Sequence, residues 1–128
     1  MPAIEEFKGL RVLLVEDEMM ICLLFEDMLL EFGCKIVGPA CDIRRATDLA
    51  RNHEGIDVAI LDVYLGGQEV FPVADILAER GVPFVFATGL GASGLPEAWQ
   101  GRPCIPKPMT MAQLVGSLSS ALRQHRQG

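Results

Sequence analysis

The cysteine and histidine patterns of zinc sites and redox motifs are missing from this chain. Cys22, Cys34, Cys41 and Cys104 include no C-x-x-C pair, and His53 and His125 stand far apart in sequence. Long hydrophobic runs are missing too. None reaches the roughly 20 residues of a membrane span, so no transmembrane helix is expected. The first ten residues, MPAIEEFKGL, carry two glutamates and no cationic leader before an apolar stretch, which is not the pattern of a signal peptide. A cytoplasmic chain with free, packing thiols is the expectation. Bulk positive charge is lacking as well. The formal net charge of −6 argues against nucleic-acid binding through overall charge. No repeat, low-complexity tract or linker breaks the chain.

What remains is an ordinary globular composition. Of 128 residues, 50% are apolar and 22% charged, and that length fits a single domain, 1–128. The charge is uneven. Residues 1–97 hold 17 acids and 7 bases, whereas residues 98–128 hold Arg102, Lys107, Arg123 and Arg126 and no acid. Cations near a C-terminal helix end explain this, and a partner-facing patch is the alternative.

Short β-rich runs alternate with helical patterns. RVLLVE at 11–16 has strand length and is followed by a helical stripe at Ile21, Leu24, Phe25, Met28, Leu29 and Phe32 that Gly33 can close. KIVG at 35–38 is a short second strand, and Asp42 can cap a helix reaching about Asn52. DVAILD at 57–62 is apolar enough to be buried on both faces. Pro72 suits the first turn of a helix ending near Glu79. PFVFAT at 83–88 is a fourth strand, the Gly- and Pro-rich stretch 89–100 allows only short or irregular helix, and RPCIP at 102–106 is a fifth strand. Met111, Leu114, Val115, Leu118 and Leu122 stripe a last helix. Five strand–helix alternations imply an α/β doubly wound parallel sheet with right-handed crossovers. In such sheets ligands bind beyond the carboxyl ends of the strands, where strand order reverses.

Chemistry-bearing residues sit at those ends. The first strand runs into Glu16, Asp17 and Glu18, the third ends in Asp62, the fourth in Thr88, and Lys107 follows the fifth. Crowded carboxylates raise one another's pKa or demand a cation. A hard divalent ion, Mg²⁺ or Mn²⁺, suits such oxygen ligands and accepts phosphate oxygens besides. An ammonium and a hydroxyl hold further phosphoryl oxygens. Asp62 is then a carboxylate nucleophile toward a phosphoryl group. Singly, each residue has an ordinary reading as turn, cap, packing or solvated loop.

Together, LLVEDE at 13–18, VAILDVYLGG at 58–67, PFVFATGLG at 83–91 and PKP at 106–108 resemble the receiver domain of two-component response regulators, over about residues 10–124. The resemblance implies a flavodoxin-like (βα)5 sheet of order 2-1-3-4-5. It implies Asp62 as phospho-acceptor, and Asp17 and Asp62, with Glu16 and the backbone carbonyl of Tyr64, as Mg²⁺ ligands. Thr88 and Lys107 would attend the phosphoryl group, and the Lys107–Pro108 bond would often be cis. The run Phe86-Ala87-Thr88-Gly89-Leu90 is similar to the "FAT GUY" subgroup, which implies a sensor histidine kinase of the HWE or a related type, or a phosphotransfer protein, as donor. Four positions depart from the pattern. The motif's final Tyr is Gly91, the usual switch aromatic before the lysine is Cys104, Met109 stands where Phe is common, and Tyr64 lies two residues past the acceptor. The Tyr64 side chain either governs water access to the phosphoryl group or packs outward.

The expectation is a stand-alone response regulator, not a turnover enzyme. Its output is contact with a downstream protein partner through about residues 90–124, or service as a phosphate sink. The apolar first helix, at Met20, Ile21, Leu23, Leu24 and Phe25, is core with a docking or dimer surface as the alternative. Three competing readings stay open. A pseudo-receiver would bind without switching. A haloacid-dehalogenase-type phosphatase would place its nucleophile on the first strand in a D-x-D pattern. A dinucleotide fold would use the G-x-G-x-x-G run at 89–94, but after the first strand and with an acid about 20 residues further on.

Overall fold

The computed structural model describes residues 4–89 and 95–127. Five parallel strands form the central sheet: β1 (Arg11–Val15), β2 (Lys35–Ala40), β3 (Val58–Asp62), β6 (Phe84–Thr88) and β7 (Cys104–Pro106). Their order is β2-β1-β3-β6-β7, which is 2-1-3-4-5 when only these five are counted. A two-stranded hairpin, β4 (Tyr64–Leu65) with β5 (Gln68–Glu69), follows β3.

Period-two alternation sends successive side chains of each strand to opposite layers. Val12 and Leu14 of β1, Val58 and Ile60 of β3, and Val85 and Ala87 of β6 join one core. It is covered by α2 (Met19–Glu31) and α5 (Met111–Gln127), with Phe7 of the short α1 (Ile4–Phe7). Leu13 and Val15, Ala59 and Leu61, and Phe84 and Phe86 join the other, covered by α3 (Ile43–Asn52) and α4 (Phe71–Glu79). β3 and β6 are buried along their whole length, as strands with helices on both faces must be.

Local signals set the helix ends. Asp42 accepts the Arg45 N–H at 2.8 Å and caps α3. Pro72 sits in the first turn of α4. Gly33 takes φ +83 immediately past α2, a conformation that side-chain-bearing residues resist. The second strand is longer than expected, running through Pro39 to Ala40, with its register to β1 shifting between Leu13 and Val15. Pro39 and Pro106 are tolerated because β2 and β7 are the sheet edges, where a missing N–H faces no neighbour. Two elements escaped the sequence reading: α1, too short to show a period, and the β4–β5 hairpin. Only a 3₁₀ turn (Glu97–Trp99) forms among the described residues of 89–100.

Candidate functional site

All five sheet strands run parallel, so their carboxyl ends share one edge. The chain leaves β1 for β2 on one side and returns as β3 on the other, which puts the reversal of strand order between Glu16 and Asp62. Lys107, following β7, reaches across to both. Its Nζ donates to Glu16 Oε1 at 3.2 Å and to Asp62 Oδ1 at 3.1 Å, and stands 3.7 Å from Glu18 Oε1. The Lys107–Pro108 peptide is cis.

Glu16 is 1% exposed, Asp62 5% and Thr88 6%, a depth at which charged and polar groups need partners. Glu16 Oε2 also accepts the Glu18 N–H at 3.1 Å. Asp17 is the exposed member of the group, and its Oδ2 accepts the Gly66 N–H at 2.8 Å. That donor was not foreseen. Its signal was Gly66-Gly67 between two short extended pairs, a two-residue turn requiring positive φ at both positions. The angles are +54 and +82.

Burial pushes the Asp62 carboxyl up, and the neighbouring Glu16 charge adds to the rise, while the Lys107 hydrogen bond and charge pull back. Burial alone would lower the Lys107 ammonium, but Asp62 and Glu16 outweigh it and raise its pKa. The site therefore carries more negative charge than one ammonium offsets.

Carboxylate oxygens of Glu16, Asp17 and Asp62 lie within 4.8 Å of one another. Three hard oxygen donors with an excess of negative charge fit a divalent cation such as Mg²⁺. Above them opens a cleft of about 480 Å³, lined by Asp17, Asp62, Tyr64, Thr88, Gly89 and Lys107 among others. Every residue expected from the sequence to attend a phosphoryl group thus borders one space. Tyr64 is 46% exposed at its rim.

The departing positions resolve unevenly. Met109 is buried in the α2–α5 core and Cys104 packs against the α3–α4 core. Leu90 and Gly91, and with them most of the G-x-G-x-x-G run, lie outside the described residues. Two of the cations of 98–128 have specific partners. Lys107 enters the acidic site, and the Arg102 guanidinium lies 4.8 Å from the Phe84 ring centroid and 5.6 Å from that of Trp99. The helix-end explanation fails for these two. On α2, Phe25 is buried and Ile21 and Leu24 are half-buried, but Met19, Met20, Leu23 and Leu30 are exposed.

A doubly wound parallel sheet with an acidic, lysine-bridged edge at its switch point defines a flavodoxin-like class of α/β domain. Known proteins agree. The solution structure of SdrG from Sphingomonas melonis Fr1 matches with a TM-score of 0.79 at 40% identity, covering 89% of this chain and 97% of that one. The BeF3-activated conformation of SdrG from Pseudomonas melonis Fr1 matches at 0.75 and 41%, covering 88% and 95%. A response regulator receiver protein from Sinorhizobium medicae WSM419 shares the fold at 0.74 and 24% identity, covering 91% and 97%. The transcriptional regulatory protein PdtaR of Mycobacterium tuberculosis is 31% identical over 121 residues, 91% of this chain. The chain spans 58% of the length of that curated relative. No family model matches. The chain belongs to the response regulator receiver family of two-component systems. Among the described residues, no helix is long and apolar enough to cross a membrane.

Proposed function

We infer that Asp62 is the phospho-acceptor of this receiver. The observation that carries this is the placement of Lys107 Nζ within 3.2 Å of both Glu16 and Asp62, beside the Asp17 carboxylate and under an open cleft. An Asp62 oxygen attacks the phosphorus of a phosphohistidine. The P–N bond breaks, and the donor imidazole departs with a proton. Lys107 holds a phosphoryl oxygen and Thr88 a second, so the developing charge meets fixed donors. Glu16, Asp17, Asp62 and the Tyr64 carbonyl would hold Mg²⁺, which when bound neutralises the carboxylates and the incoming oxygens.

The likeness to a relative characterised in a BeF3-activated conformation supports this reading, since beryllofluoride has the tetrahedral shape of a phosphoryl group. The donor is a sensor histidine kinase, of the HWE or a related type on the Phe86-to-Leu90 likeness to the "FAT GUY" subgroup, or a phosphotransfer protein. Asp62 is modified stoichiometrically without turnover, and the output is contact with another protein or withdrawal of phosphate from the donor.

Acetyl phosphate with Mg²⁺ tests this. The expected result is one acid-stable, base-labile phosphoryl group per chain, lost in Asp62→Asn. No labelling at saturating donor favours a pseudo-receiver, and continuous release of phosphate from a generic ester favours a phosphatase.

A further inference from the structure

Glu16 and Asp17 also border a second cavity, of about 220 Å³, whose other walls include Met19, Cys22, Glu26, Pro39 and Cys41. Two of the four cysteines thus meet one space from different elements, Cys22 from α2 and Cys41 from the turn after β2. Backbone bonds bring those elements together. The Glu16 N–H donates to the Ala40 carbonyl at 3.0 Å, and the Cys22 N–H to the Glu18 carbonyl at 2.9 Å. Cys41 therefore follows a residue tied to Glu16, and Cys22 lies one helical turn past Glu18. The two residues share the wall of this one space.

Their environments differ in a useful way. Cys41 is exposed and Cys22 is buried. The Cys22 Sγ donates to Glu26 Oε1 at 3.5 Å, and Glu26 borders the same cavity. Cys34 is enclosed in the α2–α5 core and Cys104 packs on the opposite layer, so neither borders this space.

We propose that Cys22 and Cys41 are an oxidation site, a thiol pair that closes to a disulfide across this cavity on exposure to a peroxide. The exposed Cys41 sulfur attacks a peroxide oxygen and the O–O bond breaks, giving a sulfenic acid and water. The Cys22 sulfur then attacks the Cys41 sulfur. The S–O bond breaks, and the hydroxyl leaves as water with the proton that Cys22 passes to Glu26. Two thiols are oxidised and one peroxide is reduced to two waters. Burial, and then the Glu26 hydrogen bond and charge, push the Cys22 thiol up to about 12. The second step therefore sets the rate and quickens as pH rises. The bridge ties the turn after β2 to α2, on either side of the Glu16–Glu18 corner.

The reduced full chain is treated with hydrogen peroxide, quenched by alkylation and mapped by mass spectrometry. Expected are a fall from four reactive thiols to two, a mass loss of two hydrogens, and one cross-linked peptide joining Cys22 to Cys41. Cys41→Ser, an exposed and fold-safe change, abolishes the link. Cys34→Ala and Cys104→Ser retain it. Over-oxidised Cys41 beside a free Cys22, or a link through Cys34 or Cys104, overturns the proposal. The readout is independent of phosphotransfer, so it stands or falls apart from the Asp62 assignment.

Discussion

The Lys107 ammonium lies 3.1 Å from Asp62 Oδ1 and 3.2 Å from Glu16 Oε1, with the lysine side chain 11% exposed and the two acids 7% and 0%. One cation therefore holds two carboxylates that are almost wholly removed from water. Removing it leaves like charges buried together, and breaking a buried pair of this kind costs about 3 kcal/mol. Lys107→Met is expected to lower the thermal midpoint measurably in metal-free buffer and to abolish Asp62 labelling. Mg²⁺ should restore much of the midpoint but not the labelling. Recovery of both by metal would show that Lys107 is structural only.

The same crowding sets a pH dependence. The Asp62 carboxyl is pushed up to about 7 from a reference of 3.8, by burial first and Glu16 next. In that window the folded chain keeps a proton that the unfolded chain has released. A raised carboxyl therefore contributes stability at low pH that is lost as pH rises between about 4 and 7. Lys107, also raised, adds stability that persists below its reference of 10.5 and is lost only at more alkaline pH. In EDTA, the difference in unfolding midpoint between the parent and Asp62→Asn should move against the parent across the lower window. A constant difference would contradict the crowding.

Gly66 is a cleaner probe than any acid. Its φ of +54 suits the hairpin turn, no atom lies within 4 Å of where a Cβ would stand, and its N–H donates to Asp17 Oδ2. Gly66→Ala therefore adds backbone strain without a clash, at a cost of about 1 kcal/mol. Its expected signature is a small fall in midpoint with a larger loss of Mg²⁺ affinity, read by calorimetry, because the turn orients Asp17. An unchanged affinity would detach the hairpin from the site.

These residues also mark how far the sequence could be read. The four long helices were legible from apolar stripes and capping residues, and the five strands because they are short apolar runs between turn residues, even where burial on both faces leaves no alternation. The acidic edge was legible because Glu16, Asp17, Asp62, Thr88 and Lys107 each end or follow a strand, and parallel strands must align such ends. The Gly66 donor was not, because a hairpin of two-residue strands leaves no period and a backbone N–H leaves no residue type. The extension of β2 through Pro39 was hidden because proline argues against a strand unless that strand is known to be an edge, and edges follow only from topology. The cation excess of residues 98–128 was legible as a sum only, because net charge does not show that Arg102 faces Phe84 and Trp99 while Lys107 faces the acids.

Tyr64 tests the rim of the cleft. It is 46% exposed and lines the same space as Asp62 and Lys107. A ring standing over the acceptor restricts the approach of attacking water. Tyr64→Asn is expected to speed hydrolysis of phosphorylated Asp62 several-fold, followed by loss of label after donor removal. An unchanged rate would mean that the ring packs outward and plays no part.

Trp99 is placed to report switching in a chain that lacks the aromatics its family resemblance leads one to expect at Gly91 and Cys104. Its ring stacks on Phe71 at 6.3 Å and 10°, and meets the edges of Phe84 and Phe86 at 5.8 and 6.0 Å. Phe86 lies on β6 two residues before Thr88, so it shares Thr88's strand end but points into the α3–α4 core. If Thr88 moves toward an anion on Asp62, the end of β6 moves with it, and the Phe86–Trp99 edge contact is the first packed pair to feel the shift. Trp99 is the single tryptophan, so tryptophan emission reports on this one aromatic cluster. Beryllofluoride with Mg²⁺ is expected to change the emission of the parent, less in Thr88→Ala, and not at all in Asp62→Ala. Saturating beryllofluoride binding by calorimetry with unchanged emission would show that the aromatic cluster is uncoupled from the acceptor.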